Sequence, residues 1–181
     1  MYQVVQSPDE ILRSKAKAVD PAMAGLPKII EEMRLTLILQ KNPEGVGLAA
    51  NQVGLPYKIF LARFSPARKE PIRVFINPEI LTHSKEEQEE TNKSPLEGCL
   101  SLPKYYGLVK RFKWVELKYQ DEKGDVKTDK FEDFPAIVIQ HEMDHLDGKI
   151  FVERILEQKG RIYKIIGRDK QGKDEWEEVE L

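Results

Sequence analysis

The sequence predicts an α+β protein, with antiparallel or mixed β-sheets around a central helix that carries an H-E-x-x-H motif, preceded by N-terminal helices. Three observations predict this class. Apolar residues recur at helical spacing in LPKIIEEMRLTLILQ (26–40), short apolar or alternating runs follow between residues 57 and 131, and helical spacing returns in FPAIVIQHEMDHLDG (134–148). We expect all 181 residues to form a single domain, with residues 159–181 as a tail that could be a β-hairpin turning at Gln171-Gly172.

The N-terminal third is expected to be mainly helical. Ser7 followed by Pro8 predicts a first helix start, with the hydroxyl as cap and proline at the first helical position. Asp20-Pro21 offers a second start, and the long amphipathic helix should end near Lys41.

Strand signals begin after this helix. The apolar runs YKIFLARF (57–64) and IRVFIN (72–77) predict two strands, and the polar residues 82–95 predict a loop or an irregular hairpin. KWVELKYQ (113–120) alternates in polarity, and the turn DEKGD predicts a return strand through Phe131. The strands therefore precede the second apolar helix.

Composition argues for a protein that acts through a site rather than through its overall charge. Lys and Arg total 29 against 31 Asp and Glu, which gives no general attraction to nucleic acid or to anionic membranes. The single cysteine cannot form an internal disulfide, and neither a signal peptide nor a membrane span is evident. We expect a cytosolic protein.

The second apolar helix carries QHEMDH (140–145). His141 and His145 are four residues apart and project from one face, so two imidazoles could bind one metal ion. Glu142 could then reach water on that ion without being a ligand. The alternative is a chance arrangement of two buried histidines whose nitrogens are satisfied by hydrogen bonds.

A catalytic metal site needs a third protein ligand and one open position. His83 lies in a polar segment and is expected at the surface, and Cys99 in EGCLSLP would give a Cys-His-His set. Acidic residues near the C-terminus are further candidates, as in metalloproteases: Glu153, Glu157, Glu177 and Glu178.

Three segments together resemble the signature motifs of the peptide deformylases: GVGLAANQ (45–52), EGCLS (97–101) and QHEMDH (140–145). Their order matches as well as their residues. The resemblance runs from about Val4 to about Glu157 and does not include the tail.

This resemblance implies removal of the formyl group from N-formylmethionine at the start of nascent polypeptides, with release of formate. It implies one divalent metal ion held by Cys99, His141 and His145. Fe(II) would be the native ion, with Zn(II), Ni(II) or Co(II) as other possibilities. Glu142 is carried over as the catalytic acid and base.

The resemblance also assigns residues to the substrate. Gln52 and the backbone amide of Leu100 would donate hydrogen bonds to the formyl oxygen. Backbone and apolar side chains would bind the formylated peptide as an added strand with a buried methionine: Gly45, Val46, Gly47, Gly98, Phe134, Ile137 and Val138. Phe134-Pro135 departs from the commonest family pattern, a Gly-Leu-Leu-like run, and leaves the pocket's shape open.

The expected partners are N-formylmethionyl peptides and, transiently, the ribosome, without a membrane or a specific nucleic-acid sequence. The location would be the cytoplasm of a bacterium or an organelle. Basic residues of the tail could instead contact ribosomal RNA, but the acidic run that follows favours a charge-paired hairpin.

Two further hypotheses concern the metal-site residues. A zinc endopeptidase would use the helix motif and a downstream acid, and would not need Cys99. A non-enzymatic relative would be expected to lack reactive residues, whereas this chain retains Gln52, Cys99 and Glu142.

Glu97 and Arg111 could form an ion pair that supports the Cys99 loop, or could be two solvated charges.

Overall fold

The structure is a computed structural model that describes residues 1–41, 43–65, 70–88 and 95–180. The protein is α+β with antiparallel sheets, as predicted. Its helices are α1 (Leu26–Leu39), α2 (Asp133–Leu146) and α3 (Phe151–Glu157), with 3-10 turns at Glu10–Arg13 and Ala50–Val53. Its strands are β1 (Gly47–Ala49), β2 (Ile59–Ala62), β3 (Arg73–His83), β4 (Glu97–Cys99), β5 (Leu102–Gly107), β6 (Trp114–Gln120), β7 (Val126–Glu132), β8 (Ile162–Arg168) and β9 (Asp174–Glu178).

The N-terminal segment differs from the prediction because other residues cap it. The first helical element is a 3-10 turn capped by Asp9, whose carboxylate accepts from the Ile11 amide at 3.0 Å, so Ser7 is not the cap. Asp20 uses its carboxylate in a local turn, accepting from the Ala22 amide at 2.9 Å. The long helix starts only after Gly25, whose φ of 89° suits glycine.

Two sheets form the scaffold. The first has the order β1-β2-β3-β6-β7, and the second has the order β4-β5-β8-β9. β3 is longer than predicted and includes residues 82 and 83, because two register irregularities let it follow β6 past Ile80. The predicted loop therefore begins later, and residues 89–94 lie outside the described part of the chain.

Helix α2 packs against the first sheet through its apolar side. Ala136, Ile139 and Leu146 are buried in a cluster with the stacked rings of Phe60 and Phe75, whose centroids are 4.5 Å apart. This packing fixes the rotation of α2, so that its His141 side is turned toward β4.

The second sheet is covered on one face by α3, through Phe151 and Ile155. β8 pairs with β5, and β9 pairs with β8 around a turn at Gly172. Ion pairs support a charge-paired surface on this C-terminal hairpin, with Arg168 Nε 3.0 Å from Asp174 Oδ1 and Arg161 Nη1 3.3 Å from Glu178 Oε2. Among the described residues, no helix has both the length and the apolar composition that crossing a bilayer requires.

Candidate metal centre

Helix α2 and strand β4 bring one sulfur and two imidazoles together. Cys99 Sγ lies 3.2 Å from His145 Nε2, and ligand atoms of Cys99, His141 and His145 are all within 4.8 Å of one another. Tetrahedral Zn–S and Zn–N bonds separate two ligand atoms by roughly 3.5 Å. The three side chains are therefore close enough for one ion to contact all of them.

The position of Cys99 follows from the short β4–β5 hairpin. Cys99 pairs with Leu102 across a tight turn, after a register irregularity at Gly98. The Ser101 amide donates to Cys99 Sγ at 3.4 Å. Burial by itself would raise the pKa of this thiol, but the adjacent His145 and His141 lower it to about 5. The thiolate is the form that binds metal.

A buried ionic network holds His141 from behind. His141 Nδ1 lies 2.9 Å from Glu97 Oε2, and Arg111 donates to both Glu97 oxygens at 2.8 and 2.9 Å. Arg111 also donates to Asp144 at 2.6 Å, and Asp144 accepts from Arg154 at 2.6 Å. Burial would raise the pKa of Glu97, yet Arg111 and His141 lower it to about 2. An ionised Glu97 fixes the ring so that Nε2 is directed to the ligand set.

Glu142 lies beside the ligand set without belonging to it. Its carboxylate contacts the backbone of Gly47 so closely that a Cβ there would overlap Glu142 Oε1. Oε2 is buried and has no hydrogen-bond partner within the described residues. Burial raises the pKa of Glu142 to about 7, despite the opposing charges of the histidines. Such a carboxyl group can exchange a proton near neutral pH.

Gln52 is oriented by the 3-10 turn that follows β1. Its Oε1 accepts from the Ala49 amide at 2.8 Å. Its Nε2 is thereby directed toward Cys99 Sγ at 3.4 Å and Ser101 Oγ at 3.3 Å. The donor end of the amide therefore faces the ligand set, next to Leu100.

A cleft of about 220 Å³ opens above these groups. The edges of β1 and β4 form two of its sides, and α2 forms its apolar wall. The predicted residues in the lining are Val46, Gly47, Gln52, Gly98, Cys99, Leu100, Phe134, Ile137, Val138, His141 and Glu142. His145 is buried beneath it.

Gly45 is the predicted substrate-binding residue that does not line the cleft. Its amide donates to the Gln40 carbonyl at 3.2 Å, and its carbonyl accepts from Arg63 Nε at 2.7 Å. Both backbone groups are therefore already engaged. Gly45 instead permits close packing, since a Cβ there would lie 2.5 Å from the Leu37 carbonyl oxygen.

The cleft also contains a residue that sequence reasoning missed. Tyr106 on β5 lies opposite Gly98 in the register, and its ring covers that glycine. A Cβ atom added at Gly98 would lie only 2.5 Å from Tyr106 Cε1. The alternation of β5 indicates a strand only weakly, so this pairing could not be read from the residues.

The other candidate ligands lie elsewhere. His83 stacks on Phe112 with ring centroids 3.6 Å apart. Glu153 accepts from the Ile150 amide at 2.9 Å, and Glu157 pairs with Lys149 at 3.0 Å. Glu177 and Glu178 lie on β9.

Comparisons with known proteins identify relatives along most of the chain. Residues 1–161 match the family model for polypeptide deformylase. A peptide deformylase of Heliobacterium modesticaldum is 37% identical over 155 residues, which cover 86% of this chain and 94% of the relative. The crystal structure of peptide deformylase from Thermotoga maritima has a TM-score of 0.75 at 35% identity, covering 85% of this chain and 97% of that one. A peptide deformylase from Synechococcus elongatus in complex with actinonin has a TM-score of 0.76 at 34% identity, covering 84% and 79% respectively.

Proposed function

The chain belongs to the polypeptide deformylase family and is a hydrolase that removes the N-formyl group from nascent polypeptides, and we propose that Cys99, His141 and His145 hold one divalent metal ion at its active site. The observation that carries the assignment is the convergence of one sulfur and two imidazoles at the floor of the cleft, beside Glu142. A thiolate with two imidazoles suits Fe(II), Zn(II), Co(II) or Ni(II). We propose Fe(II) as the native ion.

The formylated peptide binds as an extended segment between the edges of β1 and β4. Val46 and Gly98 offer backbone to it, and Phe134, Ile137 and Val138 enclose the methionine side chain. Apolar walls with a few directed polar groups are the usual design of such a site. Burial of the methionine orients the formyl group toward Gln52.

The reaction forms one C–O bond and breaks the formyl C–N bond, with water as the second reactant. When bound, the metal ion supplies Lewis-acid activation of the water and of the carbonyl group. Glu142 accepts the proton that the water loses and delivers it to the departing α-amine nitrogen. Gln52 Nε2 and the Leu100 amide donate to the formyl oxygen as its negative charge increases; one such donor typically contributes about 10²- to 10³-fold in rate.

A zinc endopeptidase is the competing function, and Cys99 distinguishes the two. Two of the four acids that such an enzyme could recruit, Glu153 and Glu157, have the partners described above, and the other two lie on β9. We expect Cys99→Ser to lose most of its metal and its formate release from formyl-Met-Ala-Ser. An endopeptidase would retain metal in this variant and cleave internal bonds of an unblocked peptide.

The measurement combines anaerobic purification, metal analysis and formate detection for the wild type and Cys99→Ser. His83→Ser is the matched control, because it removes a histidine that lies outside the ligand set. Metal retention in Cys99→Ser at the level of this control would refute the ligand assignment. Transient ribosome association is part of the same proposal and is tested by co-sedimentation with ribosomes that carry formylated nascent chains.

A further inference from the structure

A second cleft adjoins the first at Pro43 and Tyr106, which line both. It has a volume of about 390 Å³. It lies between β5 and the hairpin of β8 and β9, and its wall includes Lys104, Ile165, Ile166 and Arg168. The hairpin follows residue 161, so Ile165, Ile166 and Arg168 belong to a part of the chain outside the family match, whereas Lys104 lies within it.

The face of the second sheet that bears this cleft exposes large apolar side chains. Tyr106 is paired with Tyr163 across the β5–β8 register, and its ring meets the edge of Trp176 at 5.1 Å. Trp176 is 44% exposed, and Ile166 is 58% exposed. An aromatic and aliphatic surface therefore continues from the first cleft onto the hairpin, whereas α3 covers the opposite face of the sheet.

The direction of a bound peptide follows from Gly47 and Glu142. Gly47 touches the Glu142 carboxylate, so the reacting end of the substrate lies there. From Gly47 the chain runs back through Val46 and Glu44 to Pro43, along one side of the cleft. An extended peptide advances about 3.3 Å per residue. Residues that follow the formylmethionine are thus carried toward Pro43, where the second cleft begins.

We propose that the cleft between β5 and the C-terminal hairpin binds the downstream residues of the formylated peptide, beyond the first two after formylmethionine. The proposal rests on the function proposed above. Its lining combines Ile165 and Ile166 with two cations, Lys104 and Arg168, and one carboxylate, Asp174. Arg168 is paired with Asp174 at 3.0 Å, which leaves a net positive charge from Lys104. The cleft therefore favours an apolar side chain accompanied by an acidic one.

The first test compares peptide lengths. Formate release is measured for formyl-Met-Ala-Ser and for formyl-Met-Ala-Ser-Leu-Asp-Leu-Asp, and the result is the ratio of the two kcat/KM values. For the wild type we expect the longer peptide to be favoured. In Ile166→Ser this ratio should fall about threefold to tenfold, because the cleft loses apolar contact area. Val126→Ser is the matched control, since Val126 is 61% exposed on β7 and lines neither cleft.

The second test changes charge. The wild type should prefer formyl-Met-Ala-Ser-Leu-Asp-Leu-Asp to the same heptapeptide with both aspartates replaced by lysine, and Lys104→Glu should invert this preference. Lys104 and Ile166 are both exposed, so the circular dichroism spectra and melting temperatures of Lys104→Glu and Ile166→Ser should match those of the wild type.

The outcomes separate this proposal from the one on which it rests. Absence of formate release from the tripeptide in the wild type would remove the proposed function itself. An active wild type with equal kcat/KM for the two lengths would overturn only the downstream subsite. The same holds if Val126→Ser lowers the ratio as much as Ile166→Ser, or if Lys104→Glu keeps the preference for aspartate.

Discussion

Replacing Arg111 with alanine should lower the free energy of unfolding and also weaken metal binding at the candidate site. Arg111 is 5% exposed and is the cation between two carboxylates, Glu97 and Asp144. Glu97 in turn holds His141 Nδ1 at 2.9 Å. The substitution therefore removes a charge from the core and loosens one predicted metal ligand at the same time.

The magnitude follows from what remains buried. Asp144 keeps Arg154 at 2.6 Å, but Glu97 keeps only His141 among its described charged partners. Breaking a buried ion pair by removing one partner costs about 3–5 kcal/mol. For a chain of this size, that loss lowers the melting temperature by about 6–20 °C.

Thermal and urea unfolding at neutral pH measure the stability, and metal analysis with formate release measures the site. Arg161→Ala is the matched control, because it removes an arginine whose ion pair with Glu178 is exposed. We expect the control to change stability by less than about 1 kcal/mol. Arg111→Lys should recover only part of the loss, since an ammonium cannot reproduce the paired contacts of guanidinium with Glu97.

A free energy of unfolding for Arg111→Ala within about 1 kcal/mol of that for Arg161→Ala would refute a stabilising role of the buried ion pair. Metal content and turnover at the wild-type level would refute a role of Arg111 in supporting the site. The two results are independent, so a destabilised variant that still binds metal would assign Arg111 to stability alone.

Three other substitutions follow from the cleft. Glu142→Gln should lower kcat by about 10²- to 10⁴-fold with unchanged metal content, and parallel loss of metal would make Glu142 a ligand instead. Gly47→Ala should lower kcat by about 10²-fold, because its methyl group would displace the Glu142 carboxylate; full activity would place the carboxylate elsewhere during the reaction. Phe134→Ala should raise KM for formyl-Met-Ala-Ser about fivefold or more with little change in kcat, as measured by formate release, and an unchanged KM would remove Phe134 from the methionine wall.

The helices and most strands were predictable because the spacing of apolar residues in the sequence matches the buried side of each element. α1 occupies Leu26–Leu39 within the predicted 26–40, and β6 and β7 form the hairpin expected around DEKGD. The predicted start of the first helix was wrong, because Asp9 caps it two positions after Ser7. Local signals therefore gave the elements but not every cap.

The candidate site was predictable only as a set of residues. The spacing of His141 and His145 fixes their common side, but nothing in the sequence measures how far Cys99 lies from them. β4 has three residues and a register irregularity, so it carries no alternation that could be detected. Of the buried network behind His141, the sequence predicted only the Glu97–Arg111 pair. Asp144 and Arg154 were missed because their contacts join α2, α3 and the segment before β6.

The geometry of Cys99 depends on the second sheet as much as on helix α2. In a strand, a slip of one residue turns every side chain to the other face, so the irregularity at Gly98 decides where the sulfur points. The ring of Tyr106 lies against Gly98, where any side chain would collide with it, and Trp176 meets the same ring from β9. The C-terminal hairpin thus supports the strand that carries the sulfur. It also forms part of the wall of the second cleft. Changes in the hairpin should therefore affect both the proposed binding of long peptides and, through Tyr106, the position of the Cys99 sulfur.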